Sequence, residues 1–139
     1  MSIIDSFKAT QCKILIIDDE EDVRDVLKIY LESEKWEIIE AENGEEAIAK
    51  MKEGSNFLQV GLIICDIRMP KINGVETIDY LKKEAPSKPI LVLTGYPDTK
   101  LAVSLSKKGI SDYMVKPVDK NVLIKKVEEL MTLPHNFDN

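Results

Sequence analysis

Four short apolar runs recur along the chain: Ile-Leu-Ile-Ile at 14–17, Leu-Ile-Ile-Cys at 62–65, Ile-Leu-Val-Leu at 90–93 and Tyr-Met-Val at 113–115. Each is too short for a helix, and runs without polar alternation fit strands buried on both faces. A fifth candidate, Trp-Glu-Ile-Ile at 36–39, is mixed in polarity and belongs nearer a sheet edge. Helix-period segments separate these runs. Val23, Val26, Leu27, Tyr30 and Leu31 share one helical face, behind acids that suit a helix N-terminus. Residues 43–52 repeat the pattern with Ala47, Ile48 and Met51, and Gly54-Ser55-Asn56 ends it. Val75, Ile78 and Leu81 mark a third helix that stops before Pro86. Residues 99–108, closed by Gly109, make a fourth. Asp119 is placed to cap a last helix carrying Leu123, Val127, Leu130 and Met131. Strand and helix therefore alternate five times. Short right-handed crossovers then force an α/β fold, a doubly wound parallel sheet. The expected form is flavodoxin-like, (βα)5 with strand order 2-1-3-4-5 and five helices, because an eight-stranded barrel needs about three more units.

At 139 residues the chain is long enough for one such domain and too short for two. The expected division is an N-terminal extension at 1–11, the domain at 12–133 and a tail at 134–139. No apolar run approaches a membrane span, and residues 1–11 do not form a signal peptide, so a cytoplasmic location with no membrane partner is expected. Cys12 and Cys65 are read as two reduced, buried hydrophobes. The single histidine, His135, leaves no material for histidine triads or histidine-ligated zinc. The net charge of -6 argues against nucleic acid as a direct partner. Charge is uneven: residues 1–66 hold 16 acids against 7 bases, whereas 67–139 hold 9 against 12. Lys107, Lys108, Lys125 and Lys126 form a basic cluster that is either a solvated face or a contact for an acidic partner. The densest acidic feature is Asp18-Asp19-Glu20-Glu21-Asp22.

Functional groups in such sheets gather outside the carboxyl ends of the strands. There stand Asp18 and Asp19 after the first run, Asp66 after the third, Thr94 after the fourth and Lys116 after the fifth. Alone, each has an ordinary explanation: a helix cap, a turn residue, a solvated lysine. Together at one edge they require another. Carboxylates roughly 5 Å apart repel by about 3 kcal/mol at an effective dielectric of 20. A hard divalent cation relieves that repulsion; Mg2+ fits an all-oxygen donor set, with Mn2+ as a substitute. One carboxylate can then act as nucleophile toward phosphorus, with the Lys116 ammonium and the Thr94 hydroxyl placed to bind phosphoryl oxygens. No P-loop and no Gly-x-Gly-x-x-Gly run is present, so nucleotide binding of those kinds is excluded.

Over residues 12–133 the sequence resembles the receiver domains of two-component response regulators, including the stand-alone chemotaxis type. The resemblance rests on Ile-Leu-Ile-Ile-Asp-Asp-Glu-Glu at 14–21, Asp-Ile-Arg-Met-Pro-Lys-Ile-Asn-Gly at 66–74, Leu-Thr-Gly at 93–95 and Asp-Tyr-Met-Val-Lys-Pro at 112–117. It implies that Asp66 is the phospho-acceptor and that Asp18, Asp19, Asp66 and the backbone carbonyl of Arg68 bind the metal. It further implies that Lys116 and Thr94 hold the phosphoryl group, that the peptide before Pro117 is cis, and that Tyr113 is the switch aromatic. The implied donor is a sensor histidine kinase or histidine phosphotransferase, docking near the first helix. The implied output is a remodelled surface of the fourth helix, fifth strand and last helix, read by a downstream protein effector. The chain would act as a monomer or a phosphorylation-dependent dimer, and would be no enzyme beyond chemistry on its own aspartate.

Two competing readings are weaker. An aspartyl-nucleophile phosphatase needs a second acid two residues after the first, where this chain has Arg68. A fold-only binding module would have no use for the intact acids, Thr94 and Lys116. The segment at 54–61 is longer than a compact loop requires, and Phe57, Leu58 and Val60 are expected to pack as an extra turn. Arg68 and Tyr96, each two residues beyond a site residue, are bulky enough to exclude attacking water, which predicts slow self-dephosphorylation.

Overall fold

The computed structural model describes residues 12–32, 34–67, 73–95 and 98–132. The expected extension at 1–11, the tail at 134–139, Arg68 and Tyr96 lie outside the described residues. The elements in chain order are β1 (Lys13–Ile17), α1 (Glu21–Glu32), β2 (Glu37–Ala41), α2 (Gly44–Met51), α3 (Asn56–Gln59), β3 (Val60–Ile67), α4 (Asn73–Glu84), β4 (Ile90–Thr94), α5 (Thr99–Lys107), β5 (Asp112–Val115) and α6 (Lys120–Thr132). All strand pairs are parallel, in the order β2-β1-β3-β4-β5. The flavodoxin-like order read from the sequence is the observed one.

Two apolar layers cover the sheet. On one face Leu15, Ile17, Ile63, Cys65, Ile90 and Val92 pack against Ala47, Ile48 and Met51 of α2, Ile78 and Leu81 of α4 and Leu105 of α5. On the other, Ile14, Ile16, Leu62, Ile64, Leu91 and Leu93 meet Leu27 and Leu31 of α1 and Leu123, Val127 and Leu130 of α6. The two sets alternate along each strand, as the period of two requires. Because both faces are covered, the central strands read as continuous apolar runs. Each fully buried aliphatic side chain contributes about 1.5–3 kcal/mol. The central strands β1, β3 and β4, which carry or lead into Asp18, Asp66 and Thr94, are thus the most firmly packed support of these residues.

Helix starts follow local chemistry. Asn43 accepts from the Glu46 amide at 2.8 Å at the head of α2, and Asp98 accepts from Lys100 and Leu101 at the head of α5. Asp119, the expected cap, accepts from the amides of Asn121 and Val122 at 3.0 and 3.1 Å.

Three expectations need correction. The described residues contain six helices rather than five, because the segment after Gly54 forms the one-turn helix α3. The extra turn exists, but Phe57 and Leu58 stay exposed at 40% and 53%, and Val60 instead opens β3 and is buried. A single turn tied down by Asn56, which bonds the Lys50 carbonyl and accepts from Lys13, has no inward face left for them. Cys65 is buried as expected, but Cys12 is exposed, since it precedes the first covered residue of β1. No described helix is long and apolar enough to cross a membrane.

Candidate functional site

Parallel strands bring their carboxyl ends to one edge, and the register sets what meets there. Ile17 pairs with Cys65, so Asp18 and Asp66 follow side by side, one just past β1 and the other inside β3. Asp66 pairs with Leu93 and Ile67 with Thr94, which brings the end of β4 alongside. Thr94 pairs with Val115, and its carbonyl accepts from the Lys116 amide at 2.7 Å. That bond fixes the root of the Lys116 side chain. The Lys116–Pro117 peptide is cis, as the resemblance implied.

The Lys116 Nζ lies 2.9 Å from Asp66 Oδ1 and 3.5 Å from Asp18 Oδ2. The side chain of Asp18 is fully buried and that of Asp66 is 7% exposed, whereas that of Lys116 is 22% exposed. One ammonium therefore faces two desolvated carboxylates. Burial and the neighbouring Asp66 carboxylate push Asp18 up to about 6, against the opposing pull of the Glu20 amide and of Lys116. The Glu20 amide donates to Asp18 Oδ1 at 2.8 Å. The burial that raises Asp18 is what a cation would offset.

Arg24 was not anticipated from the sequence. It is buried on α1, donates from its Nη1 to the Asp18 carbonyl at 2.6 Å, and pairs through Nε with Glu40 at 3.2 Å. Lys28 joins Glu40 at 3.5 Å. Arg24 thus holds the backbone of Asp18 from below, as a positioning residue. The available signal was an arginine six residues after Asp18 in a run of acids, next to a strand that carries Glu40.

Among the described residues no group of three or more His, Cys, Asp or Glu side chains is arranged to hold a metal ion. Asp18 and Asp66 share Lys116, while Asp19 is exposed. The donor set nevertheless suits a hard cation: two buried carboxylates against one ammonium leave a net negative charge, and every side-chain donor is oxygen.

Thr94 is fully buried as the last residue of β4. Tyr113 is half-buried on β5 and packs against the layer that includes Leu105 and Val92. Its hydroxyl is buried, with no hydrogen-bond partner among the described residues. Of the basic cluster, Lys108 is engaged by Asp79 at 2.8 Å and Lys126 by Asp112 at 2.6 Å, which ties α6 to β5.

An acid pair and a lysine meet at the carboxyl edge of a 2-1-3-4-5 sheet. The chain belongs to the response regulator receiver domain family, whose sequence profile matches residues 14–128. Transcriptional regulatory protein ResD of Bacillus subtilis (strain 168) is 37% identical over 124 residues, covering 89% of this chain and 50% of ResD. Transcriptional regulatory protein ZraR of Klebsiella oxytoca is 35% identical over 109 residues, 78% of this chain and 24% of ZraR. This chain thus spans half or less of the length of these curated relatives. Among solved structures, a receiver domain protein from Clostridium thermocellum matches with a TM-score of 0.75 at 30% identity, covering 86% of this chain and 94% of that one. A CheY-like receiver domain protein from Methanospirillum hungatei JF-1 matches with a TM-score of 0.74 at 29% identity, over 86% and 92%.

Proposed function

We propose that this receiver domain accepts a phosphoryl group on Asp66 from a phosphohistidine of a sensor kinase or phosphotransferase, and passes the change to a partner protein through α5, β5 and α6. The observation that carries the reading is Lys116 Nζ at 2.9 Å from Asp66 and 3.5 Å from Asp18. An Asp66 carboxylate oxygen attacks phosphorus, the phosphorus–nitrogen bond to the donor breaks, and the departing imidazole keeps the electron pair and takes up a proton. Lys116 pairs with Asp66 before transfer and neutralises the added phosphoryl charge after it. The Thr94 hydroxyl binds a phosphoryl oxygen. Asp18, Asp19, Asp66 and the Arg68 carbonyl would hold Mg2+, which when bound offsets the negative charge of the carboxylates and the incoming phosphate.

Movement of Thr94 toward the phosphoryl group frees space beside β5, and Tyr113 turns inward. Its unsatisfied hydroxyl supports this role, because a buried polar group without a partner costs about 1–3 kcal/mol and favours a rearrangement that satisfies it. Val103, Val115 and Val122, each exposed by 42% or more, lie on the three elements of the proposed output surface. Effectors, kinase docking near α1 and any phosphorylation-dependent dimer belong to the same proposal.

Intact-mass spectrometry after incubation with acetyl phosphate tests the reading, with and without Mg2+, on the wild type and Asp66→Asn. The expected result is a single phosphoryl adduct that requires Mg2+ and disappears in the variant. An adduct that persists in Asp66→Asn overturns the acceptor assignment.

A further inference from the structure

The edge strand β2 is tied to the acidic end of the sheet by contacts that phosphoryl transfer to Asp66 does not itself use. Ile16 pairs with Glu40 and Ile17 with Ala41, so the chain leaving β1 at Asp18 continues beside the end of β2. The Asp18 amide donates to the Ala41 carbonyl at 3.1 Å, and the Asp18 carbonyl accepts from Arg24 Nη1 at 2.6 Å. Nε of the same guanidinium pairs with Glu40 Oε1 at 3.2 Å. Both backbone polar groups of Asp18 are thus referred to two neighbouring residues of β2, one directly and the other through Arg24.

Glu40 is itself anchored. Its second carboxylate oxygen pairs with Lys28 of α1 at 3.5 Å, and its carbonyl accepts from Lys50 of α2. By the period of two it shares a sheet face with Ile38, which packs in the layer beneath α1. The Arg24 side chain is 11% exposed and that of Glu40 28%, so the pair is largely shielded from water. A guanidinium is planar and presents its donors in a fixed fork, so an anchored Nε–H sets where Nη1 points. On the side chain of Asp18, the Glu20 amide holds Oδ1 while Oδ2 faces Lys116. A shift of the Asp18 backbone therefore moves the carboxylate at the site.

We propose that Glu40, acting through Arg24, is a positioning residue for Asp18, and that this relay sets how tightly the acidic edge takes a divalent cation. The role rests on the proposed place of Asp18 among the ligands of that cation. Mg2+ needs near-octahedral oxygen ligands at about 2.0–2.1 Å and tolerates little misplacement. Residues that orient metal ligands from behind typically contribute about tenfold to a hundredfold in affinity. Support and charge act here in opposite directions. Arg24 is a cation, so through its field alone it would repel a metal ion and its removal would tighten binding. As a support for Asp18, its removal weakens binding.

The test measures Mn2+ binding to the full chain from the electron paramagnetic resonance signal of the free ion, for the wild type, Arg24→Met, Glu40→Gln and both together, with Asp18→Asn as reference. The expected result is a dissociation constant raised about tenfold or more in Arg24→Met. It should rise in Glu40→Gln as well, with little further rise when Glu40→Gln is added to Arg24→Met. Arg24→Lys keeps the charge without the planar fork and gives a second variant with the same expected direction. An affinity unchanged or tighter in both Arg24 variants, or additive losses in the cycle, overturns the relay even where unfolding midpoints fall, because a merely structural tie lowers stability and leaves the affinity of the folded chain intact. If the wild type binds Mn2+ no better than Asp18→Asn does, Asp18 is not a ligand, and the metal site proposed for phosphoryl transfer fails together with the relay.

Discussion

Strands β3 and β5 both deliver residues to the same site, yet they are built differently. β3 is the central strand, paired on both sides, and every residue from Val60 to Ile67 is buried except Asp66. β5 is an edge strand of four residues, none of them buried. The proposed acceptor therefore stands on the stiffest part of the sheet, and the proposed responders, Tyr113 and Lys116, on or beside the most compliant. A phospho-acceptor must keep its geometry across turnover, whereas a switch needs two packings close in energy. Placing them on different strands lets one fold provide both.

The comparison breaks first under core truncation. Ile64→Ala on β3 should cost about 2–5 kcal/mol, because it removes a fully buried side chain packed between α1 and α6. Val115→Ala on β5, where the residue is 42% exposed, should cost under about 1 kcal/mol. Urea unfolding of both variants checks this, and similar losses would erase the distinction between the strands.

A pH titration of the metal-free protein sharpens it at the carboxyl edge. Asp18 is pushed up to about 6 from an ordinary 3.8, so the folded state holds its proton more tightly than the unfolded chain does. The resulting stabilisation is fully present below about pH 4 and is lost as the pH rises through about 6, amounting to about 3 kcal/mol. Asp18→Asn should flatten this slope and leave the metal-free protein more stable than wild type at neutral pH, while weakening Mg2+-dependent phosphorylation. Unfolding midpoints from pH 4 to 8, in the presence of a chelator, would read the difference.

Smaller effects are expected at the two bulky positions beyond the site. Arg68→Ala and Tyr96→Ala should each speed loss of the phosphoryl adduct by about tenfold, equivalent to about 1.4 kcal/mol of barrier, if these side chains exclude water. An adduct lifetime unchanged in both would remove that role. The smallest change concerns Tyr113. Tyr113→Phe should raise stability by about 1 kcal/mol, since it deletes a buried hydroxyl that lacks a partner, and should reduce the response to phosphorylation. A loss of stability would mean that the hydroxyl is satisfied in solution.

Much of this molecule is legible without coordinates, and the reason differs from one residue to the next. The strands at 14–17, 62–65 and 90–93 announce themselves because burial on both faces leaves no polar position to confuse the period. Asp18, Asp66, Thr94 and Lys116 follow from them, because the end of a buried parallel strand is a position that can be counted along the chain. Asp119 as a cap is equally local. The length of β3 was less visible: Val60-Gly61 and Asp66-Ile67 extend it at both ends, and a glycine and an acid do not read as strand. Phe57 and Leu58 were misplaced for a related reason, since apolar side chains predict burial only when a partner surface exists, and a single tethered turn provides none.

What the sequence by itself determined is the alternation of strand and helix, the strand order that alternation allows, and the identity of the groups at the carboxyl edge. These depend on periodicity and on short-range chemistry, which are written residue by residue. Only the tertiary structure decided which of those groups share a partner: that Lys116 stands between Asp18 and Asp66, that Asp19 is exposed, and that Arg24 turns inward beneath Asp18 to reach Glu40. It likewise decided that the Tyr113 hydroxyl is unsatisfied. Such outcomes depend on distances between residues far apart in the chain, where desolvation and Coulomb energies change steeply over a few ångströms.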